Sequence, residues 1–421
     1  MSYEFSDFGR HLGGGSGIGE LMEDLGHALA GGGPDLRMLG GGQPARIPEM
    51  QAVWRRRIEE LLAEPGGLDR ALTTYDPPQG NPRLLGAIAG LFRRTFGWQI
   101  GPENIAVTCG GQTAFFLLFN LLAGRMPDAS RRKILLPLVP EYIGYSDQGT
   151  DGGLFHSLPP LIETTGPHEF KYRVDFDRLH ITPDIAAICA SRPTNPSGNV
   201  LTDAEIARLS DLAERHRIPL IIDNAYGAPF PGIIFETATP FWQPHCILTY
   251  SLSKIGLPGT RTGIVIGPPE IIRALGSMSA IVGLSNPNIG QQIILPLVES
   301  GEILRLSREV VRPFYQAKRD LALQAAAEAF GDDIDWAVHR SEGALFLWFH
   351  FPGLPIATRE LYQRLKRRGV LVIPGEYFFF GLADTPWKHR EECIRVSYAM
   401  DEPIVRDGLH AIADEVRRAG P

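Results

Sequence analysis

Residues 250–263 read YSLSKIGLPGTRTG, with one lysine among small hydroxyl residues and glycines, just after the apolar run CILTY, and an arginine seven residues on. An isolated buried ammonium is costly, so an amine in such a place loses its charge or finds a partner. Three other stretches carry complementary chemistry. IPLII runs into Asp223, Asn224, Ala225 and Tyr226, which puts a carboxylate where a strand should end. AAICAS runs into Arg192-Pro193-Thr194-Asn195-Pro196-Ser197-Gly198, where two prolines stiffen a loop and aim Asn195. IAVT runs into Cys109-Gly110-Gly111-Gln112-Thr113, and N–H groups at a glycine-lined helix start form an anion site suited to phosphate. Each stretch alone has a plainer reading, such as a helix-capping aspartate or a turn before a helix.

These residues act together only if the strand ends converge. From about residue 84, helices and short apolar runs alternate. RLLGAIAGLFRRTFG and TAFFLLFNLLAG have helical character, and TDAEIARLSDLAERHR has a threonine cap and an acidic first turn. NIAVT, RKILLPLV, AAICAS, IPLIID, HCILTY and RTGIVIG are short strands between them. The pattern predicts an α/β fold of βαβ units, with a mostly parallel sheet covered by helices on both faces. In such sheets ligands lie beyond the carboxyl ends of the strands, where all four stretches fall.

At 421 residues, two domains are expected. Residues 51–305 form the large one. SGEILRLSREVVRPFYQAKRDLALQAAAEAFG predicts one long helix kinked near Pro313, leading into a smaller α+β domain at 306–421. Residues 1–50 are rich in glycine, including GGGSG, Gly31–Gly33 and LGGGQPARIPEM. With so little apolar area they read as an arm on the small domain or on a partner.

A net charge of −7 gives no footprint for nucleic acid or an anionic membrane. Cys109, Cys189, Cys246 and Cys393 form no C-x-x-C pair, so reduced thiols are expected, without a disulfide framework or metal site. The first residues lack signal-peptide order, and no apolar run approaches the roughly 20 residues that span a bilayer. The expectation is a soluble, cytoplasmic protein.

One ligand uses all four strand ends at once: an aromatic ring with a protonated nitrogen, a phenolic oxygen, an aldehyde and a phosphate. That is the outline of pyridoxal 5′-phosphate, whose enzymes pair a Schiff-base lysine with an acidic partner for the pyridinium. Desolvation and nearby cations would depress the Lys254 pKa and leave a nucleophilic amine. NPSG, IIDNAYG and SLSKIGLPGTRTG, in this order, resemble the aspartate aminotransferase superfamily, fold type I of the pyridoxal-phosphate enzymes, over essentially the whole chain. YDPPQG, PEYIGY, SRPTNPSGNV, DNAYGAPFPGIIF and RLKRRGVLVIPG resemble, more narrowly, a branch that pairs valine with pyruvate to give 2-oxoisovalerate and L-alanine.

The resemblance implies roles position by position. Lys254 condenses with the cofactor, Asp223 holds the ring nitrogen protonated, and Tyr226 with Asn195 bonds the phenolic oxygen. The Gly110, Gly111 and Gln112 turn, with Ser251, Ser253 and Arg261, holds the phosphate. Tyr142 stacks on the ring, a core tyrosine being its plainer reading. Tyr75 reaches the phosphate from the partner subunit, which implies a homodimer with shared active sites. Arg395, in CIRVSYA, clamps the substrate α-carboxylate in the bidentate geometry that lysine lacks, beside Asn195 and Gly42. A surface salt bridge is the plainer reading of Arg395.

Two departures stand out. The Lys254-to-Arg261 spacing is one residue shorter than in aspartate aminotransferase itself, and Gly111 stands where relatives often carry a hydroxyl. No second arginine for a side-chain carboxylate stands in the motifs, with Arg46 and Arg192 the remaining candidates. EYFFFG at 376–381 reads as an apolar lid or as aromatic core. The same scaffold serves racemases, lyases and side-chain replacement enzymes, so the reaction is not set by fold. A sensor domain of a transcription regulator would need an added basic DNA-binding domain, for which the acidic, glycine-rich first fifty residues leave no room.

Overall fold

The apolar runs that end in polar residues become the strands of one sheet in a computed structural model, which describes residues 3–17, 19, 23, 26, 36–383 and 386–420. Gly31–Gly33 of the arm lie outside the described residues. Strand β1 (Arg37–Met38) belongs to the arm, and the main sheet takes β2 (Ile105–Thr108), β3 (Gly124–Arg125), β4 (Arg131–Leu136) and β5 (Phe155–Ser157). A hairpin follows, β6 (Leu161–Gly166) with β7 (Glu169–Arg173), and leaves the main sheet. The strands β8 (Ile185–Ser191), β9 (Leu220–Asp223), β10 (Cys246–Ser251) and β11 (Gly263–Ile266) complete it. After the long helices come β12 (Ala337–His339), β13 (Phe346–His350), β14 (Val370–Leu371), β15 (Ile373–Pro374) and β16 (Cys393–Ser397).

The main sheet has the order β2–β11–β10–β9–β8–β4–β3, with β5 also on β4. Strands β10, β9, β8, β4 and β5 pair in parallel, as the alternation predicts, and β11 runs antiparallel to both β10 and β2. Residues 252–262 are too few for a crossover helix, so the chain doubles back immediately after Lys254. Every residue of β2, β8, β9, β10 and β11 is buried, which is why these strands read as unbroken apolar runs. The helix Asp203–His216 starts on the capping box that TDAE predicts: Thr202 Oγ1 accepts the Glu205 N–H (3.1 Å), and Glu205 returns a bond to the Thr202 N–H (2.8 Å).

A second sheet has the order β15–β16–β13–β12–β7–β6. The β6–β7 hairpin joins it through parallel pairing of β7 with β12. No strand was legible at 161–173, because β6 is an edge strand without a buried residue and shows no apolar alternation. The long helix also differs from expectation. Between Glu302–Leu306 and Arg312–Phe330 the chain winds as a π-helix over Ser307–Val311, so Pro313 opens an α-helical segment instead of breaking one. The arm lies on C-terminal elements: β1 pairs with β14, and Leu39 O accepts the Ser397 N–H (2.7 Å).

One buried ion pair ties the hairpin to the NPSGNV loop. Lys171, on β7, donates to Asn199 Oδ1 (3.0 Å), Val200 O (3.1 Å) and the Glu342 carboxylate, which also accepts the Val200 N–H (2.9 Å). Lys171→Met leaves the buried Glu342 carboxylate with only the half-exposed Arg340 guanidinium, 3.9 Å away, as a cation. We expect a loss of about 3–5 kcal/mol in urea unfolding, largely recovered when Glu342→Leu is added.

Candidate active site

The carboxyl ends of β8, β9 and β10, the first turn of helix Gly110–Leu122 and the arm enclose a cavity of about 310 Å3. Lys254 enters it from a one-turn 3-10 helix, Leu252–Ile255, that starts where Ser251 Oγ accepts the Ser253 N–H (3.2 Å). Its Nζ donates to Gly42 O (2.5 Å) and stands 5.2 Å from the Tyr226 ring centroid. The side chain is half-buried, but the cavity walls shield it from bulk water. Desolvation, with the Arg395 and Arg261 cations, brings its pKa down to about 8, against the opposing pull of Asp223.

Asp223 closes β9 and is buried. Its Oδ1 accepts from the Ala225 N–H (2.8 Å) and Thr249 Oγ1 (3.1 Å), and its Oδ2 from the Tyr145 hydroxyl (2.5 Å). Burial raises its pKa and these three bonds hold it down. Tyr226 lines the same cavity, its phenol pushed up by burial.

Across the cavity, Arg395 reaches in from β16. Its Nη1 donates to Asn195 Oδ1 (2.6 Å) and its Nη2 to Gly40 O (2.6 Å), while the buried Nε has no partner. The guanidinium carbon lies 4.1 Å from the Phe346 ring centroid and 5.3 Å from that of Phe378. Burial lowers its pKa to about 10, so it stays cationic at neutral pH. The Asn195 loop turns at Gly198, at φ 71°, where a Cβ would meet Gly343 O at 2.7 Å.

At the third corner the helix Gly110–Leu122 presents its first turn. Gly110 has φ 82°, and any side chain there would collide with the Arg261 guanidinium. Gly111, Gln112, Ser251, Ser253 and Arg261 all line the cavity. The Gln112 amide turns away to Gly144 O (2.9 Å), leaving its backbone at the helix start. Tyr142 also lines the cavity, its ring edge-to-face on Tyr145 (5.2 Å, 87°).

The structure does not bring every candidate together. Tyr75 is 78% exposed and lines a separate surface depression with Cys109 and Asn286. Arg192 points elsewhere, bonded to Leu201 O (2.7 Å), Thr239 O (3.0 Å) and Asp203. Arg46 is exposed, and Arg261 and Arg395 are the only arginines among the residues lining the cavity. Within EYFFFG, Phe378 and Phe379 are core and pack on Trp348, while Glu376, Tyr377, Phe380 and Gly381 are half-buried. Sequence reasoning passed over Tyr145, Thr249 and Glu141. For Thr249 a signal existed: it lies two residues before Ser251 on the same strand face, level with Asp223 on β9.

The donor set fits pyridoxal 5′-phosphate. A buried carboxylate suits a cationic ring nitrogen, an amine of pKa about 8 suits an aldehyde, and a helix start beside Arg261 suits a phosphate. The Arg395 guanidinium lines the cavity and keeps one donor, Nε, unused, which suits a substrate carboxylate. Sheet order and site together define a fold type I transferase. A model of the aminotransferase class I and II family matches residues 163–412. Valine–pyruvate aminotransferase of Escherichia coli (strain K12) is 48% identical over 415 residues, spanning 99% of this chain and 98% of its own. The crystal structure of valine–pyruvate aminotransferase from Salmonella typhimurium LT2 has a TM-score of 0.88 at 46% identity, covering 96% of this chain and 99% of its own. A solved protein of Psychrobacter arcticum 273-4 has a TM-score of 0.96 at 44% identity over 99% of each chain. The chain belongs to the class I and II aminotransferases, a family of pyridoxal-phosphate-dependent enzymes.

An amine of pKa about 8 is mostly protonated at pH 7 and mostly free at pH 9. In cofactor-free protein, acylation of residue 254, followed by peptide mass spectrometry, should rise through a midpoint near 8. Surface lysines respond near 10.4. Arg395→Met removes a repelling cation and should move the midpoint up by about one unit.

Proposed function

We propose that the cavity binds pyridoxal 5′-phosphate and that the chain transfers the amino group of a small apolar L-amino acid, valine, to pyruvate, giving 2-oxoisovalerate and L-alanine. One observation carries the substrate class: Arg395 is placed for one carboxylate, and no second arginine among the described residues faces the cavity to take another, Arg261 lying at the phosphate corner. The valine–pyruvate aminotransferases matched above support the choice.

In this reading Asp223 holds the ring nitrogen, Tyr226 and Asn195 the phenolic oxygen, and Tyr142 the ring face. The N–H groups of Gly110, Gly111 and Gln112 hold the phosphate together with Ser251, Ser253 and Arg261. The cofactor, when bound, supplies an electron sink for the pair left by the substrate Cα–H bond and a carrier for the amino group. The residues of the chain do the rest. Arg395, braced by Asn195 and stacked between Phe346 and Phe378, fixes the substrate carboxylate and so the direction of the Cα–H bond. The Lys254 amine takes that proton and returns it, and a pKa of about 8 keeps a useful fraction in base form near neutrality. The Gly40 and Gly42 carbonyls hold both cations in place until the ligands arrive.

The exposed Tyr75 belongs, in this reading, to a face shared with a second copy. Ile281, Val282 and Leu284 are also exposed there at 85%, 62% and 59%, apolar area that a homodimer would cover. Four free cysteines suit a reducing cytoplasm, and no described helix is long and apolar enough to cross a membrane.

L-Valine alone should move the visible absorption of the holoprotein to that of the amine form of the cofactor, and pyruvate should restore it. No change with valine would sink the substrate assignment. Lys254→Ala should abolish both changes and the borohydride label at 254. Aspartate should be slower than valine by about a hundredfold in kcat/KM.

A further inference from the structure

Behind Asp223 lies a second buried carboxyl that the reaction above leaves without a part. Glu141, 2% exposed, follows β4 in PEYIGY. Its Oε1 accepts the Ser191 N–H (2.8 Å), and its Oε2 accepts Ser191 Oγ (2.8 Å) and the Tyr142 N–H (2.9 Å). All three donors are neutral, an expensive setting for an acid. Ser191 ends β8 level with Asp223 on β9. The Tyr145 hydroxyl lies 3.5 Å from Ser191 Oγ and donates to Asp223 Oδ2. One buried row thus runs Glu141, Ser191, Tyr145, Asp223, in which Ser191 Oγ gives its proton to Glu141 and Tyr145 gives its own to Asp223, so the two hydroxyl oxygens meet as a contact and not as a hydrogen bond. The Glu141 N–H also donates to Phe378 O (3.0 Å), and the Phe378 ring packs against Arg395.

We propose that Glu141 is a positioning residue for Asp223: it pins Ser191, the β8 residue level with Asp223 and packed on the Tyr145 hydroxyl, and so orients the carboxylate that receives the ring nitrogen, and in its ionised form it adds a second negative charge behind it. The proposal rests on the reading of Asp223 given above. Burial pushes Glu141 up to about 7, with a smaller push from Asp223 and against the pull of its three donors. Its neighbours Tyr142, Tyr145 and Cys189 are all held neutral by burial, and Lys254, Arg261 and Arg395 face Asp223 or Tyr142 from across the cavity. Because the folded value lies above the unfolded one, protonated Glu141 stabilises the cofactor-free protein below about pH 4.5. That contribution disappears as pH rises through 7.

The test titrates the visible absorption of holoprotein with pH and measures the single-turnover half-reaction with L-valine, in wild type, Glu141→Gln, Ser191→Ala and Asp223→Ala. Removing a negative charge weakens proton binding at the cofactor. Glu141→Gln should lower the titration midpoint by about half a unit or more and slow the half-reaction about tenfold, with valine affinity unchanged. Ser191→Ala, which keeps both carboxyls, should shift the midpoint the same way by less, and it decides the matter if Glu141→Gln does not fold. Wild-type midpoints in both variants overturn the proposal, even where the melting temperature falls. If Asp223→Ala also keeps the wild-type midpoint, the reading of Asp223 falls too. If Asp223→Ala alone shifts it, only the role of Glu141 falls.

Discussion

A carboxylate at the end of a buried strand is largely withdrawn from water, and Asp223 occupies that place at the end of β9, on the cavity wall. Three hydrogen bonds keep it there, and each binds another part of the fold to the same point. Thr249 fixes β10 level with it, Ala225 fixes the turn that aims Tyr226, and Tyr145 fixes the loop that carries Tyr142. These bonds offset part of the desolvation cost, and a cationic ring nitrogen would offset the rest. The strand order then has a chemical consequence: β10 lies beside β9, so Lys254 leaves its strand one row from the acid, on the same rim.

The amine needs a different environment from the acid. Asp223 is surrounded by donors, whereas Lys254 has one carbonyl partner and two cations nearby. Burial raises the Asp223 pKa and its three donors oppose that rise, whereas the Lys254 pKa is brought down to about 8, so the donors favour an anion at one place and the cations a base at the other. The antiparallel β11 makes this arrangement compact. The return of the chain after Lys254 delivers Arg261, and Gly110 must lack a side chain for that guanidinium to reach the helix start.

Lys254, Asp223 and Asn195 were legible because the strands before them are buried on both faces and stop abruptly at polar residues. Residues whose meaning depends on register were not. Ser191 and Thr249 flank Asp223 only because β8, β9 and β10 pair in that alignment, and Tyr145 meets Asp223 from 78 positions away. The β6–β7 hairpin escaped for another reason: its edge strand buries nothing and leaves no periodic trace. The helix near Pro313 shows a third limit, since a proline predicts an interruption without choosing between a break and a π-helical turn.

The glycine-rich arm shows how a composition that lowers foldability serves a site. In LGGGQ only Leu39 is a core side chain, and the rest of the segment acts through its backbone. Gly40 packs so tightly on the β14–β15 connection that a Cβ would sit 3.0 Å from Ile373 Cδ1, and this brings its carbonyl to Arg395. Gly42 turns the next accessible carbonyl to Lys254. A carboxylate in either position would pair tightly with the cation and compete with the ligands, whereas a neutral carbonyl binds by one bond that an anionic substrate can replace. The arm therefore holds both cations in working orientation while leaving the stronger interaction for the substrate.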